Sequence, residues 1–493
     1  MPATKNDNIY LGIPGTDIIL PQGLIPGCTY LIRGGPGSGK TTLGMHFLTA
    51  DSTGTGMFIT FGESAAQLNR NAQTLGFCTE KMSFIELLPS MDDPGQEESY
   101  TIFSADQVEG KSLINDILEA FEEHKPKRIF IDSLTQLRYL APDSFQFRKQ
   151  ILSLFRELTQ KGATLLCTSE VGAEAKDDDL QFLSDGIIQL GKNKQGRTFS
   201  ISKLRGTEFQ EGEHDMCLGK KGMQVFPHLI PSKHQSNFSA ETISSGVPEL
   251  DKLLHGGLER GTVTIVSGPS GVGKTTLGIQ FMKEAAGRGE KSVVMAFEED
   301  PATMIYRSES INIPVREMLE QDTLKVEAVE PLHYTPDQFA AMVRYEVETN
   351  KVSLLMLDGL SGYRQSVQGT ELTHHLHALC RYLRNMGVTV LIINEQESVA
   401  GTEFRTTENG ISYLADSIIL LQYLEVYSEL RKIIGVLKKR TGDFEKILRE
   451  YAITPFGIKV GQPLKGLHGI LRGIPELSEE NELQDSGEST SKT

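Results

Sequence analysis

Two short stretches carry the residue types that phosphate chemistry requires. Gly34-Gly35-Pro36-Gly37-Ser38-Gly39-Lys40-Thr41 fits G-x-x-x-x-G-K-[ST], and Gly268-Pro269-Ser270-Gly271-Val272-Gly273-Lys274-Thr275 fits it again 234 positions later. In this pattern backbone N–H groups of a glycine-rich loop cradle phosphates, the lysine reaches the β- and γ-phosphates, and the Ser/Thr hydroxyl binds Mg2+. Gly34, Gly37, Ser38, Gly39, Lys40, Thr41 and Thr42 are therefore expected around one nucleotide, and Gly268, Ser270, Gly271, Val272, Gly273, Lys274, Thr275 and Thr276 around a second. Thr41 and Thr275 are the expected metal ligands of the two loops, with Asp132, Asp358 and Glu298 the carboxylates expected at the metal.

A magnesium ion beside a phosphate also calls for a carboxylate at a strand end. Asp132 closes the apolar run Ile129-Phe130-Ile131, and Asp358 closes Leu355-Met356-Leu357. Hydrolysis further needs a base, or a group that orients the attacking water. Phe297-Glu298-Glu299 supplies two adjacent carboxylates at the end of the strand that follows the loop's helix, whereas Phe61-Gly62-Glu63 supplies only Glu63. Basic residues gather late in each half, in Lys203-Leu204-Arg205-Gly206-Thr207 and in Lys438-Lys439-Arg440-Thr441. On a strand near a subunit boundary such cations can reach a neighbour's phosphates, as an arginine finger does; they can equally protect an edge strand from mispairing.

These residues need a scaffold, and the chain repeats one. Gly12-Ile13-Pro14-Gly15-Thr16-Asp17 matches Gly246-Val247-Pro248-Glu249-Leu250-Asp251, and Gly23-Leu24-Ile25-Pro26-Gly27 matches Gly257-Leu258-Glu259-Arg260-Gly261. Short β-branched runs lead into each loop, and Thr41–Leu48 and Thr275–Met282 read as the helices that leave it. Later Val/Ile/Leu runs pair off between the halves: 57–61 with 292–297, 128–131 with 354–357, 164–168 with 389–393, and 186–190 with 417–421. Continuous apolar strands separated by helices such as Ser112–Glu123 and Leu372–Asn385 imply an α/β fold with mainly parallel, doubly wound sheets. The expected organisation is a first domain over 1–226, a linker rich in turn formers over 227–240, a second domain over 241–475, and a tail over 476–493. With six acidic residues against one lysine and little to bury, that tail is expected to be disordered.

At 493 residues the chain exceeds one ordinary core of about 100–200 residues. Its 39% hydrophobic content is that of a globular protein, and no apolar run reaches the roughly 18 residues that would span a bilayer. No basic-then-apolar leader opens the sequence, so a cytoplasmic location is expected. The five cysteines are scattered and never spaced C-x-x-C, which points to reduced thiols and away from a zinc site. A net charge of −16 opposes tight non-specific binding to nucleic acid, so no nucleic-acid partner is expected.

Two phosphate loops, strand-end Phe-Glu and Asp residues, and late Lys-x-Arg clusters together resemble the KaiC family of double-domain RecA-like ATPases and autokinases of circadian clocks. The resemblance spans about residues 8–475 and is strongest at 415–423 and at 464–475, which looks like the family's C-terminal loop. It implies tandem RecA-like P-loop NTPase domains in a homohexameric ring, with ATP and Mg2+ between subunits and regulatory proteins at the C-terminal loop and tail. Lys40, Thr41, Lys274 and Thr275 match the phosphate and Mg2+ positions, and Glu298 matches the catalytic glutamate of the kinase half. Lys203, Leu204, Arg205 and Thr207, with Lys438, Lys439 and Arg440, match the residues that reach ATP from the adjacent subunit.

Two departures stand out. The family's phosphoacceptor pair falls on Ser412-Tyr413, so the serine persists and the threonine is a tyrosine, while Thr407 matches a further hydroxyl. Gly62 occupies the place of the first half's leading glutamate. The leading functional expectation is a self-phosphorylating ring ATPase whose second half does the chemistry. An ATPase switch or scaffold without kinase activity stands beside it, and a nucleic-acid-dependent RecA-class ATPase is the third reading.

Overall fold

The computed structural model describes residues 8–51, 54–87, 105–139, 141–170, 177–192, 196–367, 372–396, 411–426, 428–464, 467–468 and 476–477. The chain divides into two compact units, Met1–His228 and Leu229–Thr493.

The first unit is built on β1 (Thr29–Gly34), β2 (Gly56–Thr60), β3 (Met82–Glu86), β4 (Arg128–Asp132), β5 (Thr164–Glu170), β6 (Gly186–Lys192), β7 (Arg197–Leu204), β8 (His214–Gly219) and β9 (Gly222–Phe226). They lie in the order 3-2-4-5-1-6-7-8-9. In the second unit a small ribbon of β10 (Thr242–Ile243) and β11 (Leu258–Glu259) precedes the main sheet. That sheet contains β12 (Val263–Gly268), β13 (Lys291–Ala296), β14 (Leu324–Ala328), β15 (Val352–Asp358), β16 (Thr389–Glu395), β17 (Ser417–Val426), β18 (Glu429–Lys439), β19 (Arg449–Thr454) and β20 (Gly457–Pro463). Its order, 14-13-15-16-12-17-18-19-20, repeats the first position for position.

In each sheet six strands run parallel, from β3 to β6 and from β14 to β17. Parallel neighbours require crossover helices, which cover both faces and explain the unbroken apolar runs. Ile129 and Ile131 of β4 pack with Ile151, Leu154 and Leu158 on one side, while Phe130 between them packs with Leu43 and Phe47 on the other. In β13, Val293 and Met295 face one core cluster and Val294 and Ala296 the opposite one. The remaining three strands of each sheet add an antiparallel meander.

The helices that leave the phosphate loops, Lys40–Thr49 and Lys274–Gly287, begin at the loop lysines themselves. Each is preceded by a glycine in left-handed backbone, Gly39 at φ 103° and Gly273 at φ 112°, a conformation that a side chain would strain.

Of the stretch expected as a linker, Leu229 is buried in the core of the second unit and Pro231–Lys233 forms a 3-10 turn whose Pro231 carbonyl accepts from Asn385 Nδ2 at 2.8 Å. At the other end, Glu476–Leu477 pair antiparallel with Leu467–His468, so the first two residues placed in the tail are ordered by a partner that composition does not reveal. Residues 478–493 lie outside the described residues. Among the described residues no helix is long and apolar enough to cross a membrane.

Candidate nucleotide sites

Both phosphate loops sit where β1 and β12 end, beside the carboxyl ends of their parallel neighbours. In the first half, Lys40 Nζ donates to the Gly34 and Gly35 carbonyls at 2.9 and 3.2 Å. Thr41 Oγ1 donates to Asp132 Oδ2 at 2.9 Å, and Thr168 Oγ1 holds the other oxygen, Oδ1, at 2.7 Å. Ser38 Oγ is buried without a hydrogen-bond partner among the described residues, which is what a loop shaped to receive a further polar group would show.

The second half repeats this arrangement in a more enclosed cleft. Lys274 is 8% exposed and donates to the Pro269 carbonyl at 2.8 Å. Burial lowers its pKa, opposed by Glu395, Asp358 and Glu298. Thr275 Oγ1 donates to Asp358 Oδ1 at 2.7 Å. Burial lifts the Asp358 carboxyl to about 6; the Thr275 hydroxyl and Arg307 pull it down, and Glu299 and Glu298 push it up. A hydroxyl and a carboxylate in contact at the foot of each loop form an oxygen donor set suited to Mg2+.

The halves part at the strand end beside the loop. Glu298 Oε1 accepts from the Gly362 N–H at 2.9 Å, and the side chain lines the same cleft as Lys274, Thr275 and Asp358. Glycine at two positions makes room for it. A Cβ on Gly359 would come within 2.8 Å of Glu298 Cδ, and one on Gly362 within 2.6 Å of Phe297 Cβ and 2.7 Å of Glu298 Cγ. In the first half Ser133 and Gln136 stand at those two positions, and Gly62 stands where the carboxylate would be. Gly62 has negative φ and open space around a Cβ, so the backbone does not demand glycine there. Glu63 is exposed; its backbone N–H and carbonyl are engaged by Thr60 Oγ1.

A family model described as ATPase: KaiC matches the chain twice, over residues 9–230 and 243–465. The chain belongs to the KaiC ATPase family. The circadian clock oscillator protein KaiC of Prochlorococcus marinus is 30% identical over 482 residues, covering 96% of this chain and 96% of that protein. Circadian clock protein KaiC3 of Synechocystis sp. is 29% identical over 489 residues, with 97% and 96% covered. The clock oscillator protein KaiC of Synechococcus elongatus is 28% identical over 488 residues, with 96% and 93% covered. Each unit is accordingly a RecA-like, nucleotide-binding KaiC-type ATPase domain, and the resemblance drawn from the loops and strand ends holds across the chain.

The late basic clusters of these KaiC-type domains fall on β7 and on β18 with the turn after it. Lys203 Nζ donates to the carbonyls of Gln181 and Ser184 at 2.7 and 2.6 Å, and the 62%-exposed Arg205 lies 3.5 Å from Asp185. In the second half Lys438 Nζ donates to Ser412 O and Arg440 Nη2 to Tyr413 O, both at 2.8 Å. Leu204 packs against the first core, and Thr207 Oγ1 is buried without a partner among the described residues. Lys439, expected beside them, turns its side chain inward. Its side chain is 1% exposed and its ammonium is spent inside its own chain, on Glu259 Oε1 at 2.9 Å and on the Leu254 and Gly257 carbonyls. Successive strand side chains point to opposite faces, so the neighbours Lys438 and Lys439 cannot serve the same partner.

Ser412 lies in the short 3-10 turn Ile411–Tyr413; Thr407 lies outside the described residues. Counting back from Asp185 and Asp416, Tyr413 occupies the place of Phe182, and the two aromatics are 47% and 72% exposed. The tyrosine is thus the repeat's exposed aromatic, with His377 edge-on to its ring at 5.7 Å.

Three further groups escaped the sequence reading. Glu170 and Glu395 end β5 and β16 in register with Gly34 and Gly268, which puts a carboxylate beside each loop. Their parallel positions in Thr168-Ser169-Glu170 and Ile393-Asn394-Glu395 were a usable signal. Arg197 and Lys432 each approach the carbonyl of a loop glycine, Gly37 and Gly271, at 3.4 and 3.1 Å. Arg307, which lines the second cleft, comes from the helix Pro301–Glu309 and has no charged counterpart at Asn71.

Proposed function

We propose that the second half is the working site of a Mg2+-dependent ring ATPase and autokinase, and that the first half binds ATP chiefly to hold subunits together. The observation that carries this division is the Glu298 carboxylate, seated by Gly359 and Gly362 beside Lys274 and Asp358, against Gly62, Ser133 and Gln136 in the first half. The ring, with a hexamer as the expected size, rests on family membership and on Lys438, Arg440, Lys203 and Arg205 lying on or just beyond strands where an adjacent subunit's nucleotide could meet them. A control or timing role is a proposal from relatives named as circadian clock proteins.

In this reading the loop N–H groups and Lys274 bind the triphosphate, and Thr275 with Asp358 hold Mg2+, which neutralises phosphate charge. Glu298 takes the proton from the attacking hydroxyl, that of Ser412 of a subunit or of water. The hydroxyl oxygen bonds to the γ-phosphorus as the bond to the β-phosphate oxygen breaks and ADP leaves. Burial of Lys274 and Asp358 excludes water that would otherwise screen these charges.

ATP labelled on the γ-phosphate should transfer label to the purified protein, and Ser412→Ala should remove most of it. Undiminished labelling of that variant overturns the acceptor assignment. The scaffold reading keeps one specific support: the pair Ser412-Tyr413 aligns with Gln181-Phe182, so the threonine of the family's pair is replaced by the repeat's exposed aromatic and Ser412 is left as its one aliphatic hydroxyl. Phosphate release without any covalent phosphate would select it, and native mass in the same sample reads ring size.

A further inference from the structure

The second cleft holds more negative than positive charge. Among the described residues Glu298, Glu299, Asp358 and Glu395 line it together with Lys274 and Arg307, and the molecule to be bound is itself a polyanion. In a partly buried cleft each carboxylate that no side-chain cation answers works directly against a triphosphate.

Arg307 is placed to supply such a cation at a defined point. Its helix, Pro301–Glu309, is anchored at the start by Asp300, whose Oδ2 accepts from the N–H groups of Ala302 and Thr303 at 3.0 and 3.2 Å. From there Arg307 Nη2 lies 2.9 Å from Glu299 Oε2. The contact is an ion pair rather than an aligned hydrogen bond: Nε and Nη2 are both sealed from solvent and make no hydrogen bond among the described residues. Sealing guanidinium donors without aligned partners is costly unless their charge is needed where they sit. Glu298, by contrast, is held by the Gly362 N–H. In the first half the position of Glu298 is Gly62 and that of Arg307 is Asn71, so the carboxylate and the cation are missing together.

We propose that Arg307 is a positioning residue of the second site: by pairing with Glu299 it cancels one carboxylate of the cleft, sets its affinity for the triphosphate, and leaves Glu298 as the member of the adjacent Glu298-Glu299 pair that no cation ties down. This deepens the reading in which the second half is the working site, and rests on it. Arg307 acts through Glu299 and does not touch the reacting atoms.

The test is a charge rescue in the full-length chain. Binding of a non-hydrolysable Mg·ATP analogue is titrated, with Lys274→Ala identifying the second site's step, and KM and kcat are measured in parallel. Arg307→Ala should weaken that step and raise KM by about tenfold while changing kcat by less than about threefold. Adding Glu299→Gln to Arg307→Ala should bring affinity back to within about threefold of the starting protein, since the orphaned charge has gone. Arg307→Lys should keep most of the affinity. Arg307→Gln, alone and with Glu299→Gln, repeats the test if the alanine variant folds poorly. A double variant that binds no better than the single one, or a single variant that binds like the starting protein, overturns the proposal. The binding arm is independent of turnover: if Lys274→Ala leaves phosphate release unchanged, the working-site reading fails while the charge rescue is still read.

Discussion

Thr41 meets Asp132 at 2.9 Å and Thr275 meets Asp358 at 2.7 Å, on sheets of identical strand order, yet only the second pair has a carboxylate seated beside it by the backbone. Binding needs a loop of glycines, a lysine and a hydroxyl, all on contiguous chain. Catalysis needs a side chain from another strand end, and room for it made by a third segment. The first requirement is met in both halves by one contiguous block; the second is unmet in the first half at three separate positions, Gly62, Ser133 and Gln136.

The comparison is broken most directly at Glu298. Glu298→Gln should lower phosphate release by about 10²- to 10⁴-fold, the usual range for loss of a general base. The same substitution at Glu63 should cost far less, and equal losses would erase the division between the halves. Gly362→Ala comes next. Its Cβ would press on Phe297 and Glu298, so kcat should fall by about tenfold and the second unit should lose about 1–3 kcal/mol to overpacking, read by kinetics and denaturant unfolding.

A gain is expected in the other direction. Gly62→Glu with Ser133→Gly and Gln136→Gly should raise the release that persists in a Lys274→Ala background several-fold, whereas Gly62→Glu alone should not, because the seat for the carboxylate is missing. The smallest effect concerns pH. Burial pushes the Glu290 carboxyl up, but hydrogen bonds from Arg260, Arg288 and Ser353 more than offset this and hold it at about 2, below its ordinary 4.5. A depressed carboxylate contributes stability above pH 4.5 and loses it as pH falls toward 2. The second unit should therefore weaken through that window. Glu290→Gln should flatten the dependence, and the first unit, with Pro26 and Gly54 at the corresponding places, should not share it.

Much of this was legible beforehand because the signals are local. A phosphate loop lies on consecutive residues, and Ile129-Phe130-Ile131-Asp132 announces a buried strand ending in a carboxylate. The antiparallel meanders were harder, since half-exposed strands such as β7 carry no continuous apolar run. Arg307 was invisible for a different reason: it lies eight residues beyond Glu299, and only helical winding returns its charge to the cleft. Lys439 shows the converse, a cation read by its neighbours' pattern that the pleat turns inward onto Glu259.

The sequence alone determined that there are two nucleotide loops, which residues in each have the types and spacing for cradling phosphate, and that Gly62 breaks the repeat, because these are properties of contiguous chain. Only the tertiary structure decided that Glu298 is seated by Gly359 and Gly362, that Lys438 and Lys439 serve opposite faces, and that Arg307 answers Glu299. Each of those depends on segments far apart in sequence meeting at distances of a few ångströms, where a single Cβ or a single charge decides the outcome.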